Sequence, residues 1–153
     1  MKADISRDIF NPANHHSRVV MQQGRVQLDA DWNEQQCIHQ YRTETLVRHV
    51  IGISGVPRGE DPAGFSITVS GDDELSIATG HLYVDGILCE LLLDNANTVD
   101  CHTPPSCAPQ DFAALGDGDY VVYADVWERH ITADDNPAIR ETALGGADTT
   151  TRM

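Results

Sequence analysis

Apolar positions change their period along the chain, and the change marks out the elements. Trp32, Ile38, Tyr41, Thr45, Leu46 and Val50 recur near the spacing of an α-helix. Asp31 with Glu34 three residues on has the capping-box spacing, and Asp29 adds charge suited to the positive helix end. Arg48 and His49 fall in the last turn and Gly52 is a natural stop. The spacing predicts one main helix over residues 31–51 with one stripe buried. Ahead of it, Val19-Val20-Met21 and Arg25-Val26-Gln27-Leu28 flank Gln22-Gln23-Gly24, which predicts a tight hairpin or a kinked strand.

Beyond the Gly/Pro-rich stretch 54–64 the period becomes two. Phe65, Ile67 and Val69 alternate with Ser66, Thr68 and Ser70, and Leu75 and Ile77 restart the alternation until Gly80. His81-Leu82-Tyr83-Val84, Asp85-Gly86, Ile87-Leu88-Cys89 is a strong hairpin signal, because a type I′ turn needs positive φ at both central positions. These runs predict three or four antiparallel strands in a meander over 65–93. The run 120–127 is apolar on both faces and predicts a central strand. Asp134-Asp135-Asn136-Pro137 closes it, and one helical turn is expected over 138–143, ending at Gly145-Gly146. The predicted class is α+β: mostly antiparallel β in meanders and hairpins, with one main helix.

Charge divides the chain more sharply than hydropathy does. The sequence has 153 residues, 41% of them hydrophobic, which suits one domain. Residues 1–58, the arm, short strands and helix, hold seven basic and six acidic groups, whereas residues 59–153, the acidic β-rich part, hold three and eighteen. No Lys or Arg lies between Arg58 and Arg129. Phosphate backbones and anionic lipid surfaces require cations, so nucleic acid is not an expected partner. The longest apolar runs are far too short for a membrane span, so no membrane insertion is expected. The start has two aspartates where a signal peptide would be apolar, which makes the cytoplasm the expected place of synthesis. The polar end, residues 148–153, has no stop signal, and the chain reads as one domain or a fragment of a longer one.

Chemistry-bearing patterns are few. Cys37, Cys89, Cys101 and Cys107 read as free thiols, as a 101–107 disulfide, or as a metal site of Cys89, Cys101, His102 and Cys107; the last lacks a C-x-x-C knuckle. Asp29-Ala30-Asp31-Trp32-Asn33 begins like a calcium loop, but Glu34 and Gln40 stand where geometry demands glycine and a bidentate acid. His15-His16 on an extended segment would point to opposite faces. Asp125 and Glu128 flank Trp127 as in some sugar-binding clefts, and as at any solvated strand exit. No G-x-S-x-G, H-E-x-x-H, P-loop or G-x-G-x-x-G is present. These residues predict neither an enzyme nor a cofactor.

Several strings nevertheless resemble one domain. They are Met1-Lys2-Ala3-Asp4-Ile5-Ser6-Arg7-Asp8, the core from Met21-Gln22-Gln23-Gly24 through Asp31-Trp32-Asn33-Glu34-Gln35, the Tyr83-Val84-Asp85-Gly86 hairpin, and Asp125-Val126-Trp127-Glu128-Arg129. Together they are similar to the uncharacterised N-terminal domain of proteins encoded beside phage-tail-like contractile injection systems. The resemblance covers nearly the whole chain, is weakest at 90–118, and does not extend to the cysteine loop. It implies a structural module of a particle, at a baseplate, spike or tail-fibre attachment, made in the bacterial cytoplasm and finally placed in a particle that can be extracellular. Other particle components are then the expected partners, with a homo-oligomer, first of all a trimer. Gln22, Gln23, Arg25 and Gln27 with Trp32 as anchor are the candidate docking residues; the alternative places Trp32 in the core under the helix. A carbohydrate- or surface-binding module using Trp127, Tyr83 and the acidic loops is the second reading.

Overall fold

The computed structural model describes residues 3–59, 64–70, 74–92, 98–100 and 118–153. It is an α+β fold of one long helix and short antiparallel strands. The elements are α1 (Asp29–Ile51), β1 (Ser54–Gly55), β2 (Ile67–Ser70), β3 (Glu74–Ala78), β4 (Gly80–Val84), β5 (Ile87–Leu91) and β6 (Thr98–Asp100). Two compact units form, one of Met1–Ile38 with Asp125–Met153 and the other of His39–Ala124.

The helix begins two residues earlier than the capping pattern predicts. The Trp32 N–H already donates to the Leu28 carbonyl at 3.2 Å, so Asp29 and Asp31 both lie in the first turn. There they face the positive end of the helix dipole as charges rather than as caps. Glu34, the expected capping-box partner, lies 3.4 Å from His16 instead. The end is as expected: Gly52, at φ 101°, donates to the Arg48 carbonyl at 3.0 Å and closes the last turn. The buried stripe is corrected, however. Ile38 is buried, while Trp32, Tyr41, Leu46 and Val50 are exposed.

In the first unit, a 3₁₀ turn at Pro12–Asn14 is capped by the Asn11 side chain, which accepts from the Ala13 N–H at 3.0 Å. The turn over 22–25 closes through Arg25 N–H to Gln22 carbonyl at 3.2 Å, with Gly24 at φ 70°. No ladder flanks it, so neither the hairpin nor the kinked strand predicted over 19–28 forms. The Val19 N–H goes to the Gln35 side chain at 2.8 Å and the Leu28 carbonyl is taken by the helix, so the groups a ladder would use are spent elsewhere. At the other end of the sequence Ile131 and Arg152 exchange backbone hydrogen bonds at 2.8 and 2.9 Å. Asp135 accepts from both the N–H and the hydroxyl of buried Thr132, and Asn136 and Glu141 cap 3₁₀ turns at Pro137–Ile139 and Thr142–Leu144.

The second unit contains two sheets of three strands, in the orders β1-β4-β5 and β2-β3-β6. The meander predicted over 65–93 is therefore split. β2 pairs with β3, and Phe65 N–H to Ala78 carbonyl prolongs that ladder, but Gly80 at φ 135° redirects the chain and β4 pairs with β1 and β5 instead. The hairpin β4–β5 is as predicted, with Val84 opposite Ile87 and positive φ at Asp85 (50°) and Gly86 (93°). Residues 120–127 are corrected outright: they form no strand, because no described strand lies alongside to share a ladder.

Candidate interaction surface

The stretch preceding α1 is pinned at its start and bare thereafter. Gln35 holds the Val19 N–H and Glu34 lies beside His16, so the helix's first turns fix where this stretch begins. From there Val20, Met21, Val26, Leu28 and Trp32 all stand exposed, Val26 at 83% and Trp32 at 56%. Gln22, Gln23, Arg25 and Gln27 are exposed between them. All these residues belong to one compact unit. The sequence-predicted docking residues are thus brought into one surface stretch, and Trp32 is not core. The Gln side chains offer donor and acceptor together, Arg25 offers a planar cationic fork, and Trp32 offers a large flat apolar face. That mixture suits a protein surface better than a small charged ligand.

In the other unit the hairpin turn is seated on the helix. The Arg48 Nε lies 2.6 Å from Asp85 Oδ1 and its Nη2 donates to the Asp85 carbonyl at 3.0 Å, while the Asp85 N–H reaches the Ile53 carbonyl at 2.7 Å. Gly86 lies so close that a Cβ there would be 2.6 Å from the Glu44 carbonyl oxygen. Beside this joint, Val50, Ile51, Gly55, Val56, Pro57, Arg58 and Tyr83 line an open cavity of about 610 Å³. Sequence reasoning missed it; the available signal was Val56-Pro57-Arg58, an apolar pair with a cation immediately after the helix stop.

The metal reading has little to rest on among the described residues, where no group of three His, Cys, Asp or Glu side chains comes together. Of its members, Cys89 is half-buried in β5 as a free thiol whose pKa burial raises; Cys101, His102 and Cys107 lie outside the described residues. Cys37 is likewise a free thiol, raised first by burial and then by the negative charge of Asp8. A raised thiol is less of a thiolate at neutral pH, and so a poorer nucleophile and a poorer metal ligand. Trp127, between Asp125 and Glu128, is 63% exposed on backbone without regular structure.

A family model described as "Family of unknown function (DUF6519)" matches residues 1–153. No curated protein and no solved structure matches the chain.

Proposed function

The chain belongs to the DUF6519 family, and from that premise we propose that it is a structural assembly module of a contractile injection system or phage-tail-like particle, docking as a baseplate, spike or tail-fibre attachment component. The observation that carries the docking part is the exposed run over residues 20–32, in which apolar side chains and hydrogen-bonding side chains alternate on one surface stretch. Exposed apolar surface of this kind is costly to leave in water and is characteristic of a contact site. The particle itself is supported by the resemblance of Gln22-Gln23-Gly24 through Asp31-Trp32-Asn33-Glu34 and of Asp125-Val126-Trp127-Glu128-Arg129 to a domain encoded beside such systems. Assembly as a homo-oligomer, with a trimer the first expectation, belongs to the same reading.

Affinity purification of the tagged protein from its native host, with imaging and mass analysis of what accompanies it, tests the proposal. Sheathed or tail-like particles carrying the chain at fixed stoichiometry support it, and a lone species free of sheath and baseplate proteins overturns it. The docking residues have their own test. Trp32→Ala should weaken incorporation about thirtyfold, the scale of a hot-spot truncation, and Arg25→Ala with Gln27→Ala should weaken it further while leaving the circular dichroism spectrum unchanged. Incorporation undisturbed by all three would remove this surface from the proposal.

A second reading rests on exposed Trp127: a carbohydrate- or surface-binding module of the same kind of particle. Tyr83, the other aromatic expected in it, is half-buried in β4 of the other unit. Aromatic faces open to solvent stack on sugar rings, so weak glycan binding by the purified chain, lost on Trp127→Ala, would favour it.

A further inference from the structure

The chain between Val19 and Trp32 is tied at both ends to the same helix. At its start the Val19 N–H donates to the Gln35 side-chain oxygen at 2.8 Å, a half-buried bond between residues 16 positions apart. At its end the Trp32 N–H donates to the Leu28 carbonyl at 3.2 Å as α1 begins. Between these ties, residues 20–28 hold one internal hydrogen bond among the described residues, from the Arg25 N–H to the Gln22 carbonyl at 3.2 Å. Val20, Met21, Val26 and Leu28 are exposed along the run, so their burial does little to fix it. A run this sparsely bonded gains conformational entropy whenever an end comes loose. We propose that Gln35 is the positioning residue of this surface: its side-chain oxygen closes residues 20–32 into one preformed loop and so presents Val20, Met21, Arg25, Val26 and Gln27 to a partner protein. The inference rests on the reading of residues 20–32 as a docking surface, and it names what holds that surface in shape.

Gln35 does not act alone, but its bond is the stronger of two. The Glu34 side chain, 12% exposed, lies 3.4 Å from His16 Nδ1. Contacts at residues 16 and 19 fix the direction of the arm as well as its place. The negative charge of Asp8 helps to raise the Cys37 thiol, which keeps the arm's earlier part near the same helix. The His16 contact is long and its ring is 57% exposed, so water screens it and it adds little. The Gln35 bond is short, half-buried and made to a backbone N–H that no other group serves among the described residues. An ordinary hydrogen bond of this kind shifts a closed-to-open ratio by up to about tenfold. Docking then weakens by the fraction of chains whose loop is closed, and by no more than that. Closure before binding removes the ordering cost from the binding step, which is how a residue that need not touch the partner sets the affinity.

Two substitutions separate the acceptor from the bulk of the side chain. Gln35→Leu keeps a good helix former and removes the acceptor, while Gln35→Glu keeps an oxygen at the same reach. Hydrogen exchange of the Val19 amide and tryptic cleavage after Arg25 report loop opening in the whole purified chain, with no partner needed. Gln35→Leu should speed both by about threefold to tenfold, with the amides of the β4–β5 hairpin unchanged, and Gln35→Glu should restore slow exchange and slow cleavage. A generally destabilised chain would open the hairpin as well. Incorporation into the particle in the native host should fall with Gln35→Leu by the factor the exchange gives, and should be kept by Gln35→Glu. Exchange and cleavage unmoved by Gln35→Leu, or raised equally by both variants, would overturn the proposal. So would an opened loop with full incorporation where Trp32→Ala lowers incorporation. An opened loop with incorporation unmoved by Gln35→Leu and by Trp32→Ala alike would instead end the docking reading and uphold loop closure by Gln35.

Discussion

Gly86 carries two demands at once, and the sequence displayed one of them. Its φ of 93° is what a type I′ turn needs, which is why Asp85-Gly86 between two alternating runs was readable as a hairpin. The second demand is tertiary: the Glu44 carbonyl oxygen lies where a Cβ would go, 2.6 Å away, and no local pattern announces it. Gly24 has the first demand without the second, with φ 70° and nothing within 4 Å of the added atom. Gly86→Ala should therefore destabilise more than Gly24→Ala. Strain alone is worth about 1–3 kcal/mol, and urea unfolding should show the Gly86 variant at or above the top of that range and the Gly24 variant near the bottom. Arg48→Ala, at the same joint, should cost only about 1 kcal/mol or less, because both Arg48 and Asp85 are well exposed to water. The thiols give a pH-dependent prediction. Burial raises both Cys37 and Cys89, so the folded state disfavours their thiolates. Alkylation of these two should be slower than that of a free thiol at neutral pH, should rise as pH climbs through the raised values, and should become fast in denaturant at fixed pH. Peptide mapping after iodoacetamide checks all three.

At the level of elements, what the chain does with its own neighbours was legible, and what it needs from distant ones was not. The Gly52 stop and the β4–β5 hairpin depend on dihedrals and on hydrogen bonds a few residues long, so residue type determines them; the single helical turn expected over 138–143 is instead two 3₁₀ turns, Pro137–Ile139 and Thr142–Leu144, with Arg140 and Glu141 extended between them. Residues 19–28 and 120–127 have equally good strand composition, but a strand exists only where another supplies the opposite half of the ladder. The residues proposed for docking are contiguous in the sequence, but the exposure of Trp32 was not legible there: a tryptophan at helical spacing reads equally as core or as anchor until the burial of its neighbours is known. Thr132 and Asp135 show a local bond with a larger effect than its length suggests. One carboxylate oxygen accepts from both the N–H and the hydroxyl of a residue that is only 4% exposed. Asp135→Ala leaves those buried donors unsatisfied and should cost about 1–3 kcal/mol, read as a lower urea midpoint with an unchanged slope.

The charge distribution of the whole molecule separates the ways in which it can meet a partner. The formal net charge is −14, but the excess lies after residue 58, and the stretch that carries Gln22, Arg25 and Trp32 holds Arg18 and Arg25 against Asp29, Asp31 and Glu34. Contact through that stretch brings together few uncompensated charges and rests on apolar burial, which salt does not screen. Contact through the acidic part would instead require a cationic partner and would gain much of its on-rate from long-range attraction. Raising ionic strength from about 50 to 500 mM, which shortens the screening length to a few ångströms, therefore discriminates the two. Docking through residues 20–32 should keep its affinity within about threefold over that range, while docking through the acidic part should lose affinity steeply, chiefly by slower association. Surface-bound binding kinetics with the captured particle component would measure both rates. A steep loss of association rate would move the proposed docking surface from residues 20–32 to the acidic part, and Trp32→Ala would then be expected to leave binding unchanged.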